Sequence, residues 1–289
     1  ALGRLFHFLC TGKKCQTLAI TGAKRKMTVC LLALLVLIVF LFWRFPLLRK
    51  TWYLPPRKGF VALMYHHVGV LDDPAEEQYP FTIRPEMLER QILFLKSRGY
   101  TLVSLEDVQT AYQAGKSLIE KPVMFTFDDG YEDNYTTLFP LLKKYNVPAL
   151  IFLITDYIEK RPGYLTWAQI DEMQKSGLVT FGSHTCSHRR LRSLTDEEIW
   201  QELTQSKQIL EEKLGRPVTA LCYPYGAGGF DKRVRPQVFK AGYLFDFSTK
   251  KGINPWPWRK KTTLRRAFPR GGETMFDFYL QITRGESRL

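Results

Sequence analysis

Val123-Met124-Phe125-Thr126-Phe127-Asp128-Asp129-Gly130 is the stretch whose reading decides the fold. Val123, Met124, Phe125 and Phe127 form a short apolar run between Pro122 and Gly130, which predicts a buried strand. The strand ends in two adjacent carboxylates. Ionised Asp is almost never fully buried unless it is paired or bound to a metal. A cation beside the pair is the simplest reason for holding two like charges together. One carboxylate can bind it while the other stays free to move a proton.

Downstream, Val179-Thr180-Phe181-Gly182-Ser183 is a second strand-like run, and it leads into His184-Thr185-Cys186-Ser187-His188. The two His are four apart, a spacing that suits one metal in either a helical turn or a tight loop. The chain has only 5 His, and two of the others are adjacent at His66 and His67. One Asp with two His is a common ligand set for a catalytic divalent ion, with a position left for water. Zinc is the first expectation, and cobalt, nickel or iron can use the same ligands. A third run, Leu221-Cys222-Tyr223-Pro224-Tyr225-Gly226, ends in a Pro/Gly turn able to aim a backbone N–H at a developing oxyanion.

Taken in order, Thr126–Gly130, His184–His188 and Cys222–Gly226 resemble the three motifs of the metal-dependent polysaccharide deacetylases, carbohydrate esterase family four. The resemblance covers Phe60 to about Gln281. It implies Asp128 as general base, Asp129, His184 and His188 as metal ligands, and the Tyr225 N–H at the oxyanion. Two departures stand out. Cys222 occupies the place where many members carry an Arg that steadies the catalytic Asp, and no His follows His188 to serve as general acid. Leu63-Met64-Tyr65-His66-His67-Val68 instead resembles the subgroup acting on poly-N-acetylglucosamine, in which the motif order is permuted. That likeness assigns the acid to His66, with His67 as second choice. It also assigns the replacement cation to Arg266 in Leu264-Arg265-Arg266-Ala267-Phe268-Pro269-Arg270, ahead of Arg265 or Arg270. Tyr65, Pro224, Trp256 and Trp258 are expected as substrate contacts, the two Trp as a platform for sugar rings.

Met27 to Trp43 carries no charge and follows Lys24-Arg25-Lys26. This predicts a transmembrane signal anchor over 27–43, after a basic cytoplasmic tail (1–26) and before a Pro- and Arg/Lys-bearing linker (44–58). The domain, 59–289, is then expected outside the cytoplasm, at the periplasm or cell surface. A cleaved signal peptide is the alternative. Residues 1–58 hold eleven Lys/Arg and no Asp/Glu, so +11 of the +14 total lies there and +3 on the rest. Nucleic-acid binding, which needs its cations clustered on the folded domain, is not expected. The expected partners are an N-acetylated glycan, the membrane, and the machinery that synthesises or exports the polysaccharide.

Strand-like and helix-like segments alternate from Phe60 to the end, which predicts a distorted α/β barrel of about seven to eight parallel strands, with its site at their C-terminal ends. Cys186 and Cys222 are expected as buried thiols rather than a disulfide. Asn134-Tyr135-Thr136 matches a glycosylation acceptor by coincidence. Two rivals remain for the function. A glycosidase would need carboxylates roughly 5–9.5 Å apart on either side of the sugar, and adjacent residues cannot supply that. A membrane-tethered carbohydrate-binding or assembly factor with a degenerate site is suggested by the missing motif Arg.

Overall fold

The structure is a computed structural model and describes residues 27–41, 56–116, 120–256 and 263–287. It divides into two units, residues 1–50 and 51–289. In the first, residues 27–41 form a helix, α1. Among the described residues no helix is long and apolar enough to cross a membrane, so the expected span over 27–43 is not borne out. The basic tail and residues 42–55 of the anchor and linker lie outside the described residues.

The second unit is a parallel barrel. Its strands are β1 (Val61–Tyr65), β2 (His67–Val68), β3 (Thr82–Ile83), β4 (Thr101–Leu102), β5 (Pro122–Phe127), β6 (Ala149–Leu153), β7 (Val179–Ser183), β8 (Ala220–Cys222), β9 (Phe245–Phe247) and β10 (Arg266–Ala267). The main sheet runs β10-β1-β5-β6-β7-β8-β9, with β4 added beside β5. Ala62 pairs with Arg266 on one side of the closing segment. On the other, Leu264 bridges Phe247, so residues 264–267 close the ring between β9 and β1. Seven strands therefore form the barrel, within the expected range. The pair β2–β3 is separate, and its two-residue strands were too short to read from periodicity.

Helices wrap the outside: α2 (Pro85–Ser97), α3 (Leu105–Gln113), α4 (Phe139–Tyr145), α5 (Trp167–Lys175), α6 (Asp196–Leu214), α7 (Val234–Lys240) and α8 (Met275–Arg284). Four of them, α3, α5, α6 and α8, start at a Ser or Thr whose side chain and the third helical residue cap each other. Between β5 and β6 a π-turn, Asn134–Leu138, runs into α4, whose first turn contains Pro140.

Successive side chains on a strand point to opposite faces, and that parity sorts the core. Leu63, Tyr65, Phe125, Phe127, Ile151 and Phe181 face outward and pack against the helices. Ala62, Met124, Leu150, Phe152, Ala220, Cys222 and Phe247 face inward and fill the barrel. Gly182 is required on this inner face, because a Cβ there would stand 2.7 Å from the Phe152 ring. The same parity points Thr126, Asp128, His184 and Arg266 into the barrel at the end where strands finish.

Candidate active site

Asp128 continues β5 by one residue, its N–H donating to the Tyr65 carbonyl at 2.9 Å. Parity would turn the next side chain outward. Asp129 avoids this by adopting the left-handed region (φ 75°), followed by Gly130 (φ 76°). Any Cβ at Gly130 would lie 2.6 Å from Leu153 Cδ2, so glycine is forced there. The turn brings both carboxylates into one cleft of about 770 Å³ at the C-terminal end of the barrel.

Arg266 is fully buried and grips Asp128 with two parallel bonds, Nη1 to Oδ1 at 2.6 Å and Nη2 to Oδ2 at 2.7 Å. Its Nε donates to the Ser248 carbonyl at 2.9 Å and Nη1 also donates to Thr126 Oγ1 at 3.0 Å. Nη2 reaches the Cys222 sulfur at 3.0 Å, and that thiol donates to Asp128 Oδ2 at 3.6 Å. Burial alone would raise the Asp128 pKa, but the Arg266 charge and hydrogen bonds outweigh it and hold the carboxyl below the usual range. Burial pushes the Cys222 thiol up. The cation missing from residue 222 is thus supplied across the barrel by residue 266, which removes the motive for reading the site as degenerate. Arg265 binds the Lys251 carbonyl instead, and Arg270 lines the cleft.

Asp129 faces both motif His. The Nε2 atoms of His184 and His188 each stand 3.3 Å from Asp129 Oδ1, and that oxygen is buried with no hydrogen-bond partner among the described residues. Three acceptor-type atoms converge there, an arrangement that repels itself unless a cation or proton sits among them. The His184 Nδ1 lies 2.8 Å from the Cys222 carbonyl, so in the neutral ring Nδ1 carries the proton and Nε2 is the free donor atom aimed at the group. The donor set therefore fits a divalent ion. A second cluster, Asp128 with His184 and Cys222, fits one poorly, because Arg266 already occupies Asp128. The His184–His188 segment is a loop rather than a helical turn, with Thr185 at φ 69° and His188 at φ 61°.

His66 Nε2 is 3.9 Å from Asp128 Oδ2, and its ring is packed edge-on by Phe81 and Phe268 at 5.0 and 5.8 Å. Burial lowers its pKa, the charges of Asp128 and Asp129 offsetting this only in part. His67 turns instead to Asp133 (2.6 Å) and stacks on Tyr131 at 3.6 Å. The Tyr225 turn is left-handed (φ 58°), and its ring lies 4.6 Å from that of His188.

Three expected substrate contacts lie elsewhere. Tyr65 shares the outward parity of Leu63; its ring stacks between strand and helices and its hydroxyl donates to Gln91 at 2.7 Å. Pro224 is buried beneath the Tyr225 turn and does not line the cleft. Trp256 packs edge-on against Phe60 in a groove bounded by Val61 and Pro122, the first residues of β1 and β5, at the opposite end of the barrel. Trp258 lies outside the described residues. As expected, Cys186 and Cys222 are free buried thiols, and Asn134 is no glycosylation site: it is fully buried and donates to the His66 carbonyl at 3.0 Å.

Glu202 escaped the sequence reading. It is buried on α6 and accepts from the backbone N–H groups of Cys186 (2.9 Å) and Ser187 (3.0 Å), and from the Ser187 hydroxyl, fastening the His loop. Its signal was available, since Glu202 and Ser206 interrupt the buried stripe Ile199, Leu203, Leu210 on that helix.

The profile of the polysaccharide deacetylase family matches residues 115–245. The poly-beta-1,6-N-acetyl-D-glucosamine N-deacetylase of Escherichia coli K12 is 34% identical over 144 residues, 45% of this chain and 21% of that protein, so the chain spans about 21% of that relative's length. The protein of the same name from Staphylococcus aureus MRSA252 is 27% identical over 229 residues, 70% of this chain and 78% of that one. Among solved structures, the Streptococcus pyogenes deacetylase PplD, in complex with acetate, superposes with a TM-score of 0.70 at 27% identity, covering 79% of this chain and 99% of that one.

Proposed function

The chain carries a domain of the polysaccharide deacetylase family, and from that premise we propose that it hydrolyses N-acetyl groups from an N-acetylated amino-sugar glycan with the help of a divalent cation. The observation that carries this is the meeting, in one cleft, of a carboxylate locked by Arg266 and a separate Asp-His-His donor set. Family members are hydrolases that remove N-acetyl groups from glycans, and acetate, the product of that reaction, is bound by PplD.

Asp129, His184 and His188 would hold the cation, which supplies Lewis-acid polarisation of the amide carbonyl. Asp128, kept ionised by Arg266, accepts the proton of the attacking water at a carboxylate oxygen. The tight turn at Tyr225 offers its N–H to the oxyanion, a contribution of about 3–4 kcal/mol per donor. As the C–N bond breaks, His66 delivers a proton to the leaving nitrogen.

The names of the E. coli and S. aureus relatives supply the first glycan to try, poly-β-1,6-N-acetylglucosamine. The uncharged run 27–43 behind Lys24-Arg25-Lys26 supports attachment to the membrane with the barrel on its outer side, beside glycan synthesis or export machinery. Protease shaving of whole cells checks the orientation.

Acetate release from N-acetylglucosamine oligomers, measured after chelation and after adding back zinc or cobalt, tests the activity. Asp129→Asn is expected to lose metal retention and acetate release together. A variant that is metal-free yet fully active overturns the scheme.

A further inference from the structure

The cleft is walled by positive charge. Apart from Asp128 and Asp129, its only carboxylate among the described residues is Glu77, whereas Arg161, Arg190, Lys251 and Arg270 all line it. Neighbouring cations are paired, Lys160 with Asp156 and Arg189 with Glu198. The guanidinium groups of Arg161, Arg190 and Arg270 form no ion pair within 4.0 Å among the described residues, although the Arg270 backbone N–H donates to Glu273 Oε2 at 3.1 Å.

Each of these three guanidinium groups is instead propped on an aromatic ring of the same cleft. Arg161 lies 3.6 Å from the Tyr157 ring centre, Arg190 4.0 Å from that of Tyr225, and Arg270 5.4 Å from that of Phe268. Stacking uses the face of the guanidinium and leaves the edge donors for an oxyanion, while removing much of the side-chain freedom that binding would otherwise cost. The Arg270 Nε is buried with no hydrogen-bond partner. A neutral acetamido sugar has no use for three pre-set cations around it.

We propose that this cleft selects an anionic N-acetylated glycan, one bearing carboxylate or phosphate groups on the sugars beside the N-acetyl residue. The inference rests on the deacetylase reading for the nature of the sugar, and on the rim alone for the charge. Two features of binding follow. Affinity is salt-dependent, and glycan already partly deacetylated, and so cationic, is repelled.

The test is calorimetric binding of length-matched oligomers to the full chain. The probes are a neutral N-acetylglucosamine tetramer, a tetrasaccharide alternating N-acetylglucosamine with glucuronate, and an N-acetylglucosamine oligomer bearing phosphate. One anionic probe is expected to bind at least about tenfold tighter than the neutral one at low salt, with most of the gain gone at about 0.5 M NaCl. Whichever anionic probe wins identifies the source of the charge. Arg161→Ala and Arg190→Ala, both exposed and so expected to fold, should each cut the anionic affinity several-fold more than the neutral, with partial rescue by Arg190→Lys. Equal affinity for all probes, or a preference that survives both Ala changes together, overturns the inference. Acetate release in parallel separates the two readings. Release with equal affinities keeps the deacetylase and rejects the charge selection. Anionic preference without release from any probe does the reverse.

Discussion

The two ends of the barrel interior are made by the same strands with the same parity, yet they are different materials. Near the strand starts the inward residues are Ala62, Met124, Leu150, Ala220 and Phe245, joined by Leu105 and Val108 of α3, and all are buried. Near the strand ends they are Thr126, Asp128, His184, Cys222 and Arg266. Phe152 and Phe247, with ring centres 5.2 Å apart, sit between the two, and the Arg266 guanidinium lies 5.8 Å from the Phe152 ring. The apolar end gains from burial of any well-shaped hydrophobe. The polar end is tolerable only because each charge has a partner. The first end tolerates substitution by degrees, and the second fails when one partner is removed.

The largest expected effect breaks the polar end. Arg266→Met leaves Asp128 buried and unpaired, at an expected cost of about 3–5 kcal/mol in denaturant unfolding, with loss of acetate release. The double change Asp128→Asn with Arg266→Met should recover most of that stability and none of the activity. If the single change proves neutral in stability, the contrast between the two ends is wrong. Next comes the apolar end. Leu150→Ala opens a cavity and should cost about 2–5 kcal/mol, while the activity per folded molecule stays near that of the parent. A specific loss of kcat would show that the floor also positions the chemistry.

The smallest effect separates the two His ligands in chelator-treated protein. Burial, and then the charge of His184, lower His188 from 6.5 to about 4. Between those values the unfolded chain binds more protons, so stability rises with pH across the window and is fully present above it. Denaturant melts of His188→Asn should lack that rise. His184 has the opposite sign. Burial pulls it down, but Cys222, Asp129 and Asp128 together lift it well above its ordinary value. Its stabilisation is present below about 6.5 and is lost as pH rises through the folded pKa.

Most of the fold was legible because apolar runs between Pro and Gly marked the strands and helix-like segments alternated with them. The donor set was legible because His and adjacent Asp are rare enough in this chain to stand out. The Tyr65 assignment failed for a reason the sequence did contain. Tyr65 alternates with Leu63 and faces the helices, and the neighbouring His66 lent it a role that its parity denies. Trp256 could not be placed, since nothing local tells which end of a barrel a loop aromatic covers. The need for glycine at 130 was equally hidden, because it is set by a neighbour, Leu153, that is distant in sequence. Of the arginines lying over rings, Arg190 on Tyr225 depends on two loops meeting across the cleft, which periodicity does not report.

Residues 264–267 are at once the last stave of the barrel and the source of the counter-charge to Asp128, from 138 positions away. The barrel is therefore incomplete until residues 264–267 have been made. Until Arg266 arrives, β1 and β9 keep open edges and Asp128 has no reason to enter the interior. Fragments cut before residue 264 should therefore present unpaired strands for proteolysis rather than a partly built site.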